Sequence, residues 1–337
     1  MAAEPTNTTF PNAGPRPDRR AVLKLSAALG AALVLGPTAA WAAYPDKPVR
    51  IVVPLAAGGP TDVLARLLAE AMTPILGQQV IVENRTGASG QIAVDYVARA
   101  APDGYTLLMA TLGTVILPQT NAGFDAATLD KLQPVSKVEG RPVYLVAPSS
   151  LPANNIAELL AYAKANPGKV RYGAQGASDI LGIGNLNKLA GVDIQVVRYQ
   201  GGAPAVQAVV AGQVELTLAT PGAAAPFVKS GDMKVIAVTS PERLKDLPDV
   251  PAIAEAVPGY DFISWTGIAA PAGTPKEAVD TIADAMRKAL SEEKVVERLH
   301  ELGTSPSPST PEEFTDFFKA EIKKWADVAA AIGFTPQ

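Results

Sequence analysis

The feature that most constrains this chain is a switch of hydrophobic period that recurs at glycine-rich turns. Val49–Val53 is a short unbroken apolar run, the pattern of a strand buried on both faces. Pro54-Leu55-Ala56-Ala57-Gly58-Gly59-Pro60-Thr61-Asp62 follows, and then Val63, Leu67, Leu68, Ala71 and Ile75 recur at helical spacing until Gly77. Val80–Val82 returns to strand and Gly87–Gly90 turns the chain. A helix is expected over about 91–101, then a third strand at Thr106–Ala110. This β-α-β-α-β order requires crossovers, so it points to a parallel, doubly wound sheet.

The alternation then starts again. Strands are expected at 143–147, 171–173, 194–197, 215–219 and 235–239, with helices near 156–166, 183–190 and 203–211. Ser264–Ala270 reads as a strand returning to the first unit, followed by a helix over 276–290. A last helix over about 311–331 carries Phe314, Phe317, Phe318, Ile322 and Trp325 on an apolar stripe. The fold class expected is α/β: a two-lobed clamshell, each lobe a doubly wound sheet, joined by two crossover strands. Residues 43–146 plus 262–337 make lobe 1 and residues 147–261 make lobe 2, with hinge motion expected near 142–148 and 259–265.

Residues 1–42 read as an address. Arg19-Arg20 precedes an apolar run from Leu25 to Leu35, Pro37 breaks it, and Ala40-Trp41-Ala42 offers small residues two apart. The twin arginine points to twin-arginine export, with a plain secretory signal as the alternative. The run is far short of the ~20 residues that span a bilayer. Cleavage near Ala42 would leave a periplasmic protein that is not embedded in the membrane.

Composition removes whole classes of chemistry. The chain has no cysteine and a single histidine, His300, in a polar stretch that reads as a surface helix. Thiolate metal sites, Cys nucleophiles and any scheme needing two imidazoles are excluded. No Ser/His/Asp order, HExxH or paired-carboxylate motif is present, so no catalytic residue, metal site or cofactor is expected and the protein is read as no enzyme. The net charge is −4; an acidic body lacks the footprint of a nucleic-acid binder.

Attention therefore falls on the loops beyond the carboxyl ends of the strands, where open α/β sheets bind ligands. Gly58 and Gly59 let backbone amides face a ligand at a helix start, a setting that favours an anion; a plain turn capped by Thr61 or Asp62 is the alternative. Thr111, Gly113 and Thr114 supply hydroxyls and backbone after the third strand. Gln175, Gly176 and Ser178 do so from the second lobe, as do Tyr199, Gly201 and Gly202. Each loop alone is a turn; four at equivalent ends suggest one cleft. Arg85 and Arg198 are cations that would suit a carboxylate, a surface role remaining open for Arg85. Trp265 lies on the returning strand, placed to shield the hinge or touch the cleft.

Motifs are spread along the chain: Tyr44-Pro45-Asp46-Lys47-Pro48-Val49-Arg50-Ile51-Val52-Val53-Pro54 with Ala57-Gly58-Gly59-Pro60-Thr61-Asp62, and Val82-Glu83-Asn84-Arg85. They continue through Ala101-Pro102-Asp103-Gly104-Tyr105, Ala165-Asn166-Pro167-Gly168, Ala211-Gly212-Gln213-Val214, Leu247-Pro248-Asp249-Val250-Pro251 and Ala270-Pro271-Ala272-Gly273-Thr274-Pro275, covering essentially all of the chain after residue 42. In these motifs the chain resembles the Bug-type solute receptors of tripartite tricarboxylate transporters. The resemblance implies a type II-like periplasmic-binding-protein clamshell that captures a small carboxylate and delivers it to membrane permease subunits. It also implies a cleft lined by loops matching 54–62, 111–114, 174–178 and 199–203, holding the carboxylate by amides, hydroxyls and water.

Three departures bear on the ligand. Leu55 stands where the family often has an aromatic ring. Leu218-Ala219-Thr220 replaces a common Phe-Asp-Asn, removing a partner for an ammonium group and bringing Thr220 into the candidate site. Arg198-Tyr199-Gln200-Gly201-Gly202 replaces a Pro-Tyr-Lys-Gly-Ser pattern. A carboxylate without an amino group is the expected ligand. A periplasmic sensor presenting the same ligand to a signalling system is the alternative, and an exported enzyme a distant third.

Overall fold

The apolar runs form strands that sort into two mixed sheets. The first holds β1 (Val49–Val53), β2 (Val80–Asn84), β3 (Thr106–Thr111), β4 (Leu132–Arg141), β10 (Ser264–Pro271) and β11 (Ser305–Pro306), in the order β11-β4-β10-β3-β1-β2. The second holds β5 (Tyr144–Pro148), β6 (Arg171–Ala174), β7 (Gln195–Arg198), β8 (Leu216–Ala219) and β9 (Met233–Val238), in the order β7-β6-β8-β5-β9. This is a computed structural model, and it describes residues 44–336. The expected export signal, with its twin arginine and its cleavage position, lies outside the described residues.

The parallel part of each sheet is where the glycine turns predict it. β1 pairs in parallel with β2 and β3, and β6 with β7 and β8. The rest is antiparallel: β10 runs against β3 and β4, and β5 runs against β8 and β9. The chain thus leaves the first sheet by β4 and enters the second by β5, which pairs inside the second sheet along its length. The result is the α/β two-lobed fold.

Helices cover both faces of the first sheet because strand residues alternate sides. Ile51 and Val53 of β1 point to one face, under α1 (Pro60–Leu76), through Leu64, Leu68 and Met72. Val52 points to the other, against Val94 and Val97 of α2 (Gln91–Ala98) and the short α3 (Leu112–Val115). α1 starts with Pro60 in its first turn and stops at Gly77, whose left-handed φ of 66° ends the helix.

In the second lobe α4 (Ile156–Ala165), α5 (Ala177–Ala190), α6 (Gly202–Val210) and α7 (Pro221–Ser230) surround β5–β9. α8 (Lys276–Ala289) and α9 (Glu293–Glu301) then return to the first sheet, where Val279, Ile282, Met286, Val295 and Leu299 complete the face covered by α1. His300 lies on α9 and is exposed, as a surface position. The last helix, α10 (Pro311–Ile332), opens with a reciprocal capping box: Glu313 N–H donates to Thr310 Oγ1 at 3.2 Å, and Thr310 N–H donates to Glu313 Oε2 at 2.9 Å. It lies under β4 and β10 and reaches α5, where Lys188 Nζ donates to Ala331 O at 2.7 Å.

Three elements depart from the sequence reading. β4 was hidden by Pro134 and by its charged Lys137 and Glu139, which argue against a central strand. α5 begins at Ala177, about six residues before its apolar period becomes regular, because Gly176 breaks the strand. α7 forms despite Pro226 in its interior: Pro221 suits its first turn, and Thr220 Oγ1 accepts from Ala223 N–H at 3.4 Å.

Candidate functional site

Four strands, β1, β3, β6 and β8, end at one cavity of about 310 Å³. That is room for about ten water-sized groups at ~30 Å³ each, so the cavity suits a small organic molecule. Its walls are the loop after β1 (Leu55, Thr61), the turn after β3 (Thr111, Gly113, Thr114), the turn after β6 (Gln175, Ser178, Asp179) and the end of β8 (Ala219, Thr220). Thr61, Gly113, Ser178 and Thr220 stand at the amino ends of α1, α3, α5 and α7. Backbone N–H groups in the first turn of a helix have no intrahelical acceptor, and the helix dipole adds partial positive charge.

The structure brings together eight of the residues singled out in the sequence: Leu55, Thr61, Thr111, Gly113, Thr114, Gln175, Ser178 and Thr220. Gly176 lines an adjoining hollow of about 460 Å³ that shares Leu55, Gly113 and Ser178 with the cavity. The others shape the walls from behind or lie elsewhere. Ala57, Gly58 and Gly59 form the turn into α1, with Gly58 at a left-handed φ of 79°. Asp62 is buried, with both carboxylate oxygens engaged inside the loop. It accepts from Arg66 Nε at 2.9 Å, Gly58 N–H at 2.9 Å and Asn84 Nδ2 at 2.9 Å. The Arg66 hydrogen bond, helped by those from Gly58 and Asn84, holds its pKa down to about 2.

None of residues 198–202 lines the cavity. β7 is the edge strand of its sheet, one strand beyond β6, so the loop that follows it stands farther out. Tyr199 packs its ring against Gly173, and Gly202 gives room to Gln175, since a Cβ there would lie 2.8 Å from Gln175 Oε1. Gly201 introduces α6 at a φ of 102°. Arg198 lines a separate, shallower groove with Lys188 and Asp193. Arg85 pairs with Glu83 at 2.6 Å and lies over the Tyr96 ring at 3.5 Å.

On the side of the cavity formed by β4 and β10, the sequence reading singled out Trp265 alone, as a residue that shields the hinge or touches the cleft, and missed the rest. Glu139, Arg141, Ser264, Trp265 and Thr266 all line it. The strand register explains why: Thr266 faces Thr111 on one neighbour and Glu139 on the other, and Ser264 faces Arg141. Glu139 is 1% exposed and accepts from Thr266 Oγ1 at 3.2 Å and from Thr304 Oγ1. The available signal was the i, i+2 spacing of Glu139 and Arg141, which puts both on one face of a strand.

Asp179 is the second buried carboxylate of the wall. Its Oδ2 accepts from Gln175 N–H at 3.1 Å and from Tyr172 OH at 3.3 Å. Burial outweighs those bonds and pushes its pKa up to about 6. Neither carboxylate of the wall is without a donor. What the cavity offers a ligand is chiefly donors, from helix amino ends, hydroxyls and a guanidinium, while the Gln175 amide nitrogen already donates to Leu218 O.

A two-lobed α/β molecule with a small donor-lined cavity at the strand ends is a solute-binding receptor by its fold and site. The family model described as "Tripartite tricarboxylate transporter family receptor" matches residues 64–334, so the chain belongs to this Bug-type family of periplasmic receptors, which bind solutes and are not enzymes. Protein BugT of Bordetella pertussis is 33% identical over 301 residues, covering 86% of this chain and 90% of that protein. Among solved structures, R. palustris Rpa4515 with adipate is 35% identical with a TM-score of 0.72, covering 87% of this chain and 100% of that one. MatC from Rhodopseudomonas palustris with bound malate is 34% identical with a TM-score of 0.68, covering 85% and 99%. Among the described residues, no helix is long and apolar enough to cross a membrane.

Proposed function

We propose that this protein captures a small carboxylate that lacks an amino group in the cavity between its lobes, and delivers it to the permease subunits of a tripartite tricarboxylate transporter. The observation that carries this reading is the lining. The amino ends of α1, α5 and α7, with the hydroxyls of Thr61, Thr111, Thr114, Ser178 and Thr220, favour an anion. Of the two carboxylates that line the cavity, Glu139 already accepts through both oxygens and Asp179 through Oδ2, so an ammonium would have only Asp179 Oδ1 to itself. The adipate and malate named with two neighbours agree in class.

In this reading residues 1–42 direct export to the periplasm, by the twin-arginine route, and are removed near Ala42. Residues 43–146 with 262–337 close against residues 147–261 by hinges near 142–148 and 259–265. Leu55, Thr61, Thr111, Gly113, Thr114, Gln175, Ser178 and Thr220 touch the ligand. Ala57, Gly58, Gly59, Asp62, Gly176, Tyr199, Gly201 and Gly202 hold those residues in place.

The test is a thermal-shift panel of mono-, di- and tricarboxylates, aromatic acids and amino acids, on protein unfolded and refolded to strip bound solute. A ligand at 100 times its Kd adds about 2.7 kcal/mol, a rise of several degrees. A rise confined to one carboxylate class is the expected result. A larger rise with amino acids, or none with any acid, overturns the reading. Loss of uptake of the identified acid on deletion of the gene tests the transporter role.

A further inference from the structure

α10 serves the first sheet for most of its length and the second lobe at its end. Phe314, Phe317 and Phe318 surround Trp265 of β10. Farther along, Trp325 meets the Phe262 ring edge-on at 5.8 Å, and Lys324 pairs with Asp261 at 3.0 Å, both on the segment that returns from the second lobe. The last turn, at Ala331 and Ile332, meets Gly184 and Lys188 of α5.

Chain termini fray unless something ties them down. This one is tied from both sides. Gly333, at a φ of 65°, closes the helix with a Schellman motif: Phe334 N–H donates to Ala329 O at 2.9 Å and Gly333 N–H to Ala330 O at 3.3 Å. Lys188 Nζ donates to Ala331 O at 2.7 Å, which places a cation on a free carbonyl at the negative end of the helix. α5 carries Gly182 and Gly184 in its interior, where glycine is among the poorest helix formers. A Cβ at 182 would lie 2.6 Å from Phe262 Cδ2, and one at 184 would lie 2.6 Å from Ile332 Cδ1. α5 gives up helix propensity for close approach at both places.

These contacts make α5 a lever. Ser178 and Asp179 at its amino end line the cavity, as does Phe262. Phe262 bears on Gly182, and α10 grips Lys188 beyond it. At ~1.5 Å per residue the pivot stands about 6 Å from Ser178 and about 9 Å from Lys188. A helix is stiff over that length, so the near arm cannot shift against the cavity unless the far arm shifts against α10. The cavity enclosed in this arrangement, about 310 Å³, is already the size of a small organic ligand.

We propose that the end of α10 is a clasp across the two lobes: Lys188 and Ile332 are positioning residues that hold the far arm of α5 and so keep the Ser178 wall of the cavity in its binding position. The clasp is a third connection between the lobes, beside the crossovers near 142–148 and 259–265. It rests on the reading of the cavity as the binding site and adds what sets the fraction of molecules ready to bind, with which apparent affinity scales.

The chain has no cysteine, so Glu70→Cys with Lys164→Cys places one spin label on α1 of the first lobe and one on α4 of the second, both at exposed positions. The loosened chain carries Lys188→Met and Ile332→Ala as well. Double electron–electron resonance on the folded, ligand-free protein should give one narrow distance distribution for the parent and a broader or displaced one for the loosened chain. Calorimetry with adipate and with malate is run beside it, on chains without the labels. The loosened chain should bind about 3- to 30-fold more weakly than the parent. Lys188→Met alone should weaken binding in the same direction. Lys188→Arg, which keeps a cation at Ala331 O, should stay within about 2-fold of the parent. A purely structural role lowers stability and moves neither readout.

An unchanged distance distribution in the loosened chain overturns the proposal. So does unchanged affinity for an acid that the parent binds, or Lys188→Arg as weak as Lys188→Met, and the receptor reading then survives. Absence of binding of both acids by the parent counts against the carboxylate reading alone; the distances, measured without ligand, still decide the clasp.

Discussion

Trp265 Nε1 donates a 3.0 Å hydrogen bond to Glu321 Oε2, and the same oxygen accepts from Trp325 Nε1 at 3.1 Å. All three side chains are buried, and Glu321 also pairs with Lys324. One carboxylate on α10 thus fastens a cavity-lining residue of β10 to the C-terminal helix. Phe314, Phe317 and Phe318 pack edge-on to the Trp265 ring, with centroids 5.4–6.1 Å away. Trp265 is placed on the returning strand so that it faces the cavity while α10 holds its indole N–H.

Glu321→Ala leaves two buried indole N–H groups without an acceptor, and each such group costs about 1–3 kcal/mol. The expected loss is about 2–6 kcal/mol by denaturant unfolding. Glu321→Gln keeps an acceptor oxygen and should lose less than half as much. Equal losses from the two variants would show that the hydrogen bonds contribute nothing beyond the charge.

Intrinsic fluorescence should report ligand through Trp265 and not through Trp325, because of the two described tryptophans Trp265 lines the cavity and Trp325 does not. Trp265→Phe is expected to abolish the ligand-induced change, and Trp325→Phe to preserve it. The opposite pattern sinks the assignment of the cavity as the binding site.

Asp179 imposes a pH dependence whose sign can be worked out. Its folded pKa, about 6, lies above the ordinary value near 4. Between those values the folded state keeps a proton that the unfolded state has lost, so stability falls as pH rises from 4 to 6 and is level above that. The effect is about 3 kcal/mol for a shift of about two pH units. Asp179→Asn lacks this slope, so its stability relative to the unmodified protein should rise by about that amount from pH 4 to pH 7. A difference that stays constant across this range contradicts the burial argument.

Asp62 works in the opposite direction. Its folded pKa, about 2, lies below the ordinary value, so its contribution is complete above pH 4 and is lost as pH falls toward 2. Asp62→Asn should therefore be less stable than the unmodified protein at pH 7 and nearly equal to it at pH 2. Its ligand affinity at pH 7 should also fall, because one of the two oxygens that accept from Gly58 and Asn84 becomes an NH2 group and one of those loop-shaping bonds is lost.

Gly267 on β10 lies under α10, where a Cβ would come 2.2 Å from Phe314 Cζ. Gly267→Ala should destabilise the protein by about 1–3 kcal/mol through overpacking. Phe314→Leu in the same chain should recover part of the loss, measured as a double-mutant cycle. Purely additive losses would place the strain elsewhere.

Much of this protein is written locally. The period-2 and 3.6-residue patterns of β1, α1, β2 and β3, broken by glycines, imply the α/β alternation before any contact is known. Sequence motifs along 44–275 suffice to recognise the family, and the loops after β1, β3 and β6 are marked by their glycines and hydroxyls. The same local signals misled at β4, where Pro134 and two charges masked a central strand, and at 198–202, where a glycine-rich turn follows an edge strand.

What only the tertiary structure decided is the fate of individual polar side chains. Thr266 and Glu139 are 127 residues apart in the chain, yet β10 lies beside both β3 and β4, so Thr111, Thr266 and Glu139 stand in one row along the cavity. Asp62 engages its own loop, Arg198 lines another groove, and Arg141 lines the cavity that Arg198 does not reach. Residue type sets what a side chain can bond to. Strand order and register set what lies within 3 Å of it, and neither is encoded by spacing along the chain.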